Sequence, residues 1–453
     1  MEMSSGLFLP ALLLQFAAAA SPAQAARRPP LNIVLIGLNA LRADHLKIYG
    51  YGKETAPGLS RLAAEGIVFE QAVAQSHWTL PSLASLFTSK YVHSHGLYDR
   101  SRRLSESEAV LAEALKEGGY KTAAFTGGLD MSGAYGLKRG FDIYYDDTGG
   151  RPMGSFRELT PKALKWLAGR RKDRFFMFLD SYDIHPPFDK PSPDGNAPDY
   201  SGALKGASLD YALLGSYRNG AMDGGKIKLT KADLAYINFR YDNGIACADG
   251  FLGEFIAGLA ELGLSENTAL VVFSEHGEEL GDHGSFDRFG SGNLYDEAIR
   301  VPLIMVLPGR SLKGARVQAQ VRLIDLMPTI LELAGLRAGP QAQGKSLLPL
   351  LDGAGRDPGL YAYSEAGPGK WALRSREWKL IYNNGDYSLF DLINDRTESV
   401  NAAAKEPETV YTLAQKLMEW RRKTRTALSP GGARPALTGE MKRKLKEAGY
   451  WVE

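Results

Sequence analysis

The stretch Ser76-His77-Trp78-Thr79-Leu80-Pro81-Ser82-Leu83-Ala84-Ser85-Leu86-Phe87-Thr88 follows an apolar run that ends at Phe69. Small hydroxyl residues crowd around a single proline. Proline suits the first helical position, so Pro81 is expected to open a helix, with Leu80 at the cap and Thr79 just before it. A hydroxyl there points at a helix N-terminus, where backbone N–H groups and the helix dipole favour an anion. Such a hydroxyl can serve as a nucleophile toward a phosphate or sulfate ester. It can also be a plain helix start, since Ser and Thr are favoured at that position in any case.

The segment Thr79-Leu80-Pro81-Ser82-Leu83-Ala84-Ser85-Leu86-Phe87-Thr88-Ser89 resembles the signature of the sulfatase family, within the alkaline-phosphatase superfamily. That signature reads Cys/Ser-x-Pro-Ser-Arg-Ala-Ser-Leu-x-Thr-Gly. Its first residue is converted to formylglycine, whose hydrate is the nucleophile. Threonine cannot be converted in that way. Leu83 stands where the signature has Arg, and Ser89 where it has Gly.

Working outward, Leu31 to Leu38 is a near-continuous apolar run, as expected of a buried parallel strand. It ends at Asn39, followed by Arg42 and Asp44. Open α/β sheets gather their chemistry at strand C-termini. The family's first strand ends in Asp-x-x-Arg-x-Asp, whose leading Asp is a metal ligand; here that residue is Asn39. Residues 57–69 read as a helix with Leu59, Leu62, Ala63 and Gly66 on one face. His95 is expected to be structural.

A second buried strand, Arg174 to Leu179, leads into Asp183-Ile184-His185-Pro186-Pro187-Phe188. In an extended chain Asp183 and His185 would point the same way and face one site. The string resembles the family's Asp-x-His-x-Pro-Tyr, whose His contacts the substrate anion. A third strand, Leu270 to Phe273, ends in Ser274-Glu275-His276-Gly277-Glu278-Glu279-Leu280-Gly281-Asp282-His283-Gly284. A carboxylate and an imidazole in series at a strand end form an open divalent-metal site with mixed oxygen and nitrogen ligands. The family has Asp where Glu275 stands, and the extra methylene moves the carboxylate oxygen by about 1.5 Å. A His or Lys that often opens a later family string is replaced by Gly290-Ser291.

The resemblance implies an α/β fold with a large, mostly parallel central sheet flanked by helices and a small C-terminal α+β subdomain. Residues 1–25 read as a secretory signal: an apolar core from Leu7 to Ala20, then the small-x-small site Ala23-Gln24-Ala25. Glu2 and the missing basic residue leave an uncleaved anchor as the alternative, and only then would the protein meet a membrane. Either way the body lies outside the cytoplasm, periplasmic or secreted. Residues 31–355 are expected to form the sulfatase-like catalytic domain. A Gly-rich turn at 352–358 would then lead to a sheet-plus-helix subdomain and basic tail over 356–453. Residues 190–230 read as an insertion loop near the site mouth.

Composition sets further limits. The chain has 453 residues and a net charge of +2, so no bulk electrostatic case for nucleic acid arises. One cysteine, Cys247, excludes an internal disulfide and any cysteine-based zinc site. Its neighbours suggest a small buried apolar residue.

Two functions follow from the residues. In the first, a metal-dependent hydrolase or transferase acts on a sulfate or phosphate ester of a small molecule, glycan or lipid. Asn39, Glu275, His276 and the Thr79 oxygen hold one divalent ion, Thr79 attacks, and Arg42 and His185 take up charge on the anion. Family resemblance points to Ca²⁺, while the ligand set also suits Mg²⁺, Mn²⁺ or Zn²⁺. A threonine alkoxide favours a phosphorus ester, because a sulfated formylglycine hydrate collapses by elimination and a sulfated threonine has no such route. In the second, the substituted site is catalytically degenerate and binds an anionic glycan or lipid head group without cleaving it.

Overall fold

The computed structural model describes residues 31–448, apart from 194, 196–197, 217–220, 223–226, 285, 287–291, 293, 311, 352–358 and 425–431. The secretory segment, the Gly290-Ser291 substitution and the proposed boundary at 352–358 lie outside the described residues. So does the far end of the basic tail.

The elements run in order β1 (Asn32–Leu38), α1 (Pro57–Glu65), β2 (Ile67–Val73), α2 (Thr79–Thr88), α3 (Val92–His95), α4 (Leu111–Glu117), β3 (Lys121–Thr126), β4 (Ile143–Tyr145), α5 (Phe156–Ala168) and β5 (Phe175–Ser181). Next come α6 (Tyr211–Ser216), the short β6 (Ala221–Met222) and β7 (Ile227–Lys228), α7 (Lys231–Glu261), β8 (Thr268–Phe273), α8 (Asp296–Ile299), β9 (Arg300–Val301), β10 (Leu303–Val306), β11 (Ala315–Arg322), α9 (Leu326–Leu333) and α10 (Leu348–Leu351). The chain closes with β12 (Ala362–Gly367), β13 (Lys370–Arg374), β14 (Trp378–Asn383), β15 (Asp386–Asp391), α11 (Pro407–Thr424) and α12 (Gly439–Glu447).

Nine strands form one sheet in the order β11-β2-β10-β8-β1-β5-β3-β4, with β9 beside β2. β8, β1, β5, β3 and β4 run parallel to one another, and β10 runs against β8 and β2. The apolar runs are continuous because both faces are covered. On β1, Ile33 and Leu35 enter one apolar layer with Leu80, Leu83 and Leu86 of α2. Val34 and Ile36 enter the other, with Leu59 of α1 and Tyr241 and Ile245 of α7. The expected α/β architecture is thus observed, with a separate four-stranded antiparallel sheet, β12-β13-β14-β15.

Three local expectations change. The helix at 57–69 stops at Glu65, and Ile67 to Phe69 belong to β2. Gly66 makes this switch, since a Cβ there would fall 2.5 Å from the Met305 carbonyl oxygen. Helix α2 starts at Thr79 rather than at Pro81, after the extended residue Trp78. The first-turn N–H groups have no intrahelical acceptor, so proline fits at the third helical position as well as the first. Cys247 is only partly buried. Among the described residues no helix is long and apolar enough to cross a membrane.

The antiparallel sheet is bolted to the large one by buried charge. Lys379 of β14 is fully buried and pairs with Glu398 at 2.8 Å. Arg374 of β13 donates to both oxygens of Asp296 in α8, at 2.9 and 2.8 Å. Removing one member of a buried ion set strands the others. Lys379→Met is expected to destabilise the fold by about 3 kcal/mol, read from urea unfolding. A loss near zero would mean that the set is not coupled.

Candidate active site

β8, β1 and β5 are neighbours, and their C-terminal ends lie level: Gly37 pairs with both Asp180 and Phe273. Asn39 follows β1, Asp180 is the next-to-last residue of β5, and Glu275 and His276 follow β8. All four side chains are completely buried, as is Thr79.

Thr79 is the first residue of α2, and Trp78 before it supplies no side-chain cap. The Asn39 Nδ2 donates to Thr79 Oγ1 at 3.1 Å. The same amide group donates to Glu275 Oε1. Thr79 Oγ1 lies 3.1 Å from His276 Nε2. His276 Nδ1 lies 2.6 Å from the Gly277 carbonyl oxygen, which only accepts, so Nδ1 carries the proton. In the neutral ring Nε2 then presents its lone pair to the Thr79 hydroxyl.

The backbone around these groups is pinned. Ala40 has φ +65°, in the left-handed region that an alanine rarely adopts. It is held there by the buried Tyr241 hydroxyl, which donates to the Ala40 carbonyl oxygen at 2.6 Å and accepts from the Arg42 N–H at 2.8 Å. Ser82 Oγ donates to the Glu275 carbonyl oxygen at 2.6 Å, tying α2 to the end of β8.

The structure changes the reading of Arg42. Its five N–H groups are all committed: Nε and Nη2 to Asp44 at 2.9 and 2.7 Å, Nη1 and Nη2 to Asp282 at 2.6 and 3.3 Å, and Nη1 to the Glu278 carbonyl oxygen at 3.3 Å. Burial works against ionised Asp44, but the Arg42 guanidinium outweighs it and holds the carboxyl at about 2. Two carboxylates neutralise Arg42, so it clamps the 278–282 segment instead of offering charge to an anion.

Asp183 and His185 do not face one site. β5 ends at Ser181 and the chain turns, so the two-residue period of a strand no longer applies. Asp183 accepts from the Phe156 N–H at 2.7 Å and from Ser155 Oγ at 2.6 Å, at the start of α5. His185 Nε2 lies 2.8 Å from the Tyr211 hydroxyl, which donates to Glu278 at 2.9 Å. His283 sits aside from Thr79, paired with Glu297 at 2.7 Å and stacked on Tyr295.

Two groups escaped the sequence reading. Asp180 is buried with neither carboxylate oxygen hydrogen-bonded, although the N–H groups of Ser181 and Asn39 approach it. Burial, and then the charge of Glu275, push its carboxyl well above the ordinary range. Its signal was its place, two residues across the sheet from Asn39. Lys370, the first residue of β13, has its pKa lowered by burial, with the charge of Glu279 acting the other way.

These atoms bear on whether a divalent ion fits. Among the described residues no group of three His, Cys, Asp or Glu side chains stands ready to hold a metal by itself. The donor set needs Asn39 and Thr79. Asn39 Oδ1 is buried and accepts no hydrogen bond. An amide turned over about its last torsion keeps its shape and would present that oxygen to Thr79 and Glu275. Acceptors in excess of donors in a buried site fit a cation, and the O,O,O,N set is one a divalent ion accepts.

Comparison with known proteins places the chain. The sulfatase family profile matches residues 31–336, more than half of the sequence, and the protein belongs to that family. A second profile, N-sulphoglucosamine sulphohydrolase, C-terminal, matches residues 281–423. Arylsulfatase K of Mus musculus is 25% identical over 448 residues, covering 85% of this chain and 78% of that protein. An N-acetylglucosamine-6-O-sulfatase of Bacteroides thetaiotaomicron is 24% identical, covering 88% and 87%. A phosphonate monoester hydrolase from Silicibacter pomeroyi shares the fold, with TM-score 0.72 at 22% identity over 88% of this chain and 96% of that one. The class supported is that of an ester hydrolase.

Two predictions follow from how the site is held. A Cβ on Gly277 would fall 1.8 Å from the Glu297 carbonyl oxygen. Gly277→Ala is therefore expected to cost about 1–3 kcal/mol of stability, measured by denaturant unfolding, because backbone must shift beside His276. His95 is fully buried; its Nδ1 accepts from the Leu97 N–H at 3.2 Å, and its Nε2 lies 3.0 Å from Ser85 Oγ in α2. Burial, then His93, hold its pKa at about 3 against an ordinary 6.5. The folded pKa is depressed, so the unfolded chain binds the proton first as the pH falls. His95 thus lowers stability progressively from pH 6.5 down toward 3, by about 1.4 kcal/mol per pH unit. Urea unfolding of His95→Gln across that window should show a shallower slope; an unchanged slope would remove His95 as its source.

Proposed function

We propose that this protein hydrolyses a sulfate or phosphate ester with Thr79 as nucleophile and Asn39, Glu275, His276 and Thr79 as the holders of one divalent ion. The observation carrying the reading is the placement of Thr79 Oγ1. It is buried at a helix N-terminus, 3.1 Å from an amide donor and 3.1 Å from an imidazole nitrogen. When bound, the ion would supply Lewis-acid polarisation of the ester oxygen and a lower pKa for the hydroxyl.

The chain's own groups do the rest. Attack by Thr79 Oγ1 on sulfur or phosphorus forms a threonyl ester and releases the alcohol. Water then cleaves that ester, returning Thr79 and the inorganic anion. The α2 N-terminus faces the developing negative charge. Asn39 fixes the direction of the Thr79 oxygen. The His276 Nε2 lone pair serves either as acceptor for the Thr79 proton or as a metal ligand, not as both at once. Arg42 is a positioning residue, as its saturated guanidinium holds the 278–282 segment. His185 acts with Tyr211 and Glu278 as a polar wall.

Substrate class draws on two supports that pull apart. The two relatives matched by sequence are sulfatases, one of them named for a 6-O-sulfated amino sugar. The threonine lacks the elimination route of formylglycine, which favours a phosphorus ester. Export through residues 1–25, with a catalytic unit over 31–355 and a C-terminal unit over 356–453, belongs to the same reading.

The experiment is turnover of matched aryl phosphate, phosphodiester and sulfate esters, and of glucosamine 6-sulfate, with Ca²⁺, Mg²⁺, Mn²⁺ or Zn²⁺ added. Thr79→Ala is expected to lower kcat by a factor of on the order of 10³ or more, with phosphorus esters preferred in the wild type. Activity indifferent to Thr79→Ala would overturn the nucleophile. An absence of turnover under all conditions would favour the anion-binding protein.

A further inference from the structure

Asn39 removes one negative charge from the strand end where the sulfatase resemblance expects an aspartate. One neighbouring carboxylate can replace it. Asp180 lies on β5 opposite Gly37, two residues before Asn39, and on the sheet face that carries α2. Its carboxylate is pressed against β1 so closely that a Cβ on Gly37 would fall 2.2 Å from Oδ2. Any side chain at 37 would therefore evict it. The Asn39 N–H approaches it, and Glu275 is near enough for the two charges to interact. It is fully buried, neither oxygen makes a hydrogen bond, and no lysine or arginine pairs with it among the described residues.

A buried carboxylate in that state needs either a proton or a cation. We infer that Asp180 is the second carboxylate of the cation centre, standing in for the charge that Asn39 lacks. The inference rests on the reading of Asn39, Glu275, His276 and Thr79 as a divalent-ion site. The negative charge has moved from the end of β1 to the end of β5, one strand across, while the amide of Asn39 keeps the shape of the original residue. Asp180 acts by charge from behind the ligands, since it forms no three-residue metal cluster with Glu275 and His276, and it is not placed in contact with substrate. The other fate of such a group is a neutral, purely structural acid.

Calorimetric titration of the metal-stripped full chain with Ca²⁺, Mg²⁺, Mn²⁺ and Zn²⁺ separates these cases, with bound metal counted by elemental analysis. The wild type is expected to bind one equivalent of at least one ion. Asp180→Asn, the same shape without the charge, is expected to bind about 10- to 100-fold more weakly. The double variant Asn39→Asp/Asp180→Asn returns the carboxylate to β1 and is expected to recover most of that loss. Circular dichroism of the metal-free proteins checks folding, and Asp180→Ser replaces Asp180→Asn should the latter not fold. Unchanged affinity in the charge-deleted variant, or no recovery in the double variant, would overturn the role of Asp180 and leave the metal reading standing. A wild type that binds none of the four ions would overturn both.

Discussion

A carboxylate withdrawn from water without a hydrogen bond is among the costliest groups a folded chain can hold. Asp180 is such a group, and Glu275 lies within electrostatic reach of it. The rest of the site is arranged around tolerating that pair. Gly37 gives up its side chain to make room. Asn39 turns an amide toward Glu275 and Thr79. Tyr241 holds Ala40 in a backbone conformation that sets the direction of its neighbour. Strain and desolvation collected at one point, with good packing on every side, is the usual mark of a site kept for chemistry rather than for stability.

Arg42 shows how charge is managed a few ångströms away. A buried guanidinium costs as much as a buried carboxylate unless it is saturated, and here two carboxylates and a carbonyl saturate it. The consequence is mechanical. The segment after His276 cannot drift from the end of β1 while Asp282 is bound to Arg42. Cationic and anionic groups are therefore kept apart within the site, with Arg42 closed by its own partners and Asp180 left open.

Much of this was legible in the sequence, for a definite reason. Buried parallel strands read as apolar runs, and each run ends at the polar residue that the fold carries to the sheet edge. Asn39, Thr79, Glu275 and His276 are found together because β1, β8 and the start of α2 end together. What the string hid were properties decided by neighbours distant in sequence. Nothing local to Arg42 says that Asp282 takes up its donors. Asp183 and His185 look like a pair only while the chain is taken as extended, and the turn after Ser181 separates them. Asp180 fell between the apolar run that ends at Leu179 and the motif that begins at Asp183, and drew no reading of its own. Its significance depends on a glycine 143 positions earlier.

The small antiparallel sheet belongs in this account, because it holds the chain that leads into Thr79. The Glu365 N–H donates to the Gln75 carbonyl oxygen at 2.9 Å, and Ser76 Oγ donates to the Glu365 carbonyl oxygen at 2.9 Å. Ser364 Oγ donates to the Ala74 carbonyl oxygen at 2.5 Å. β12 thus grips residues 74–76, three positions before Thr79. The same strand brings Ala366 against Gly292, which lies beside His77. A sheet far along the chain therefore anchors the approach to α2. Since Lys379 and Arg374 both pair with Asp296 of α8, the position of Thr79 and the seating of the C-terminal strands are one mechanical problem.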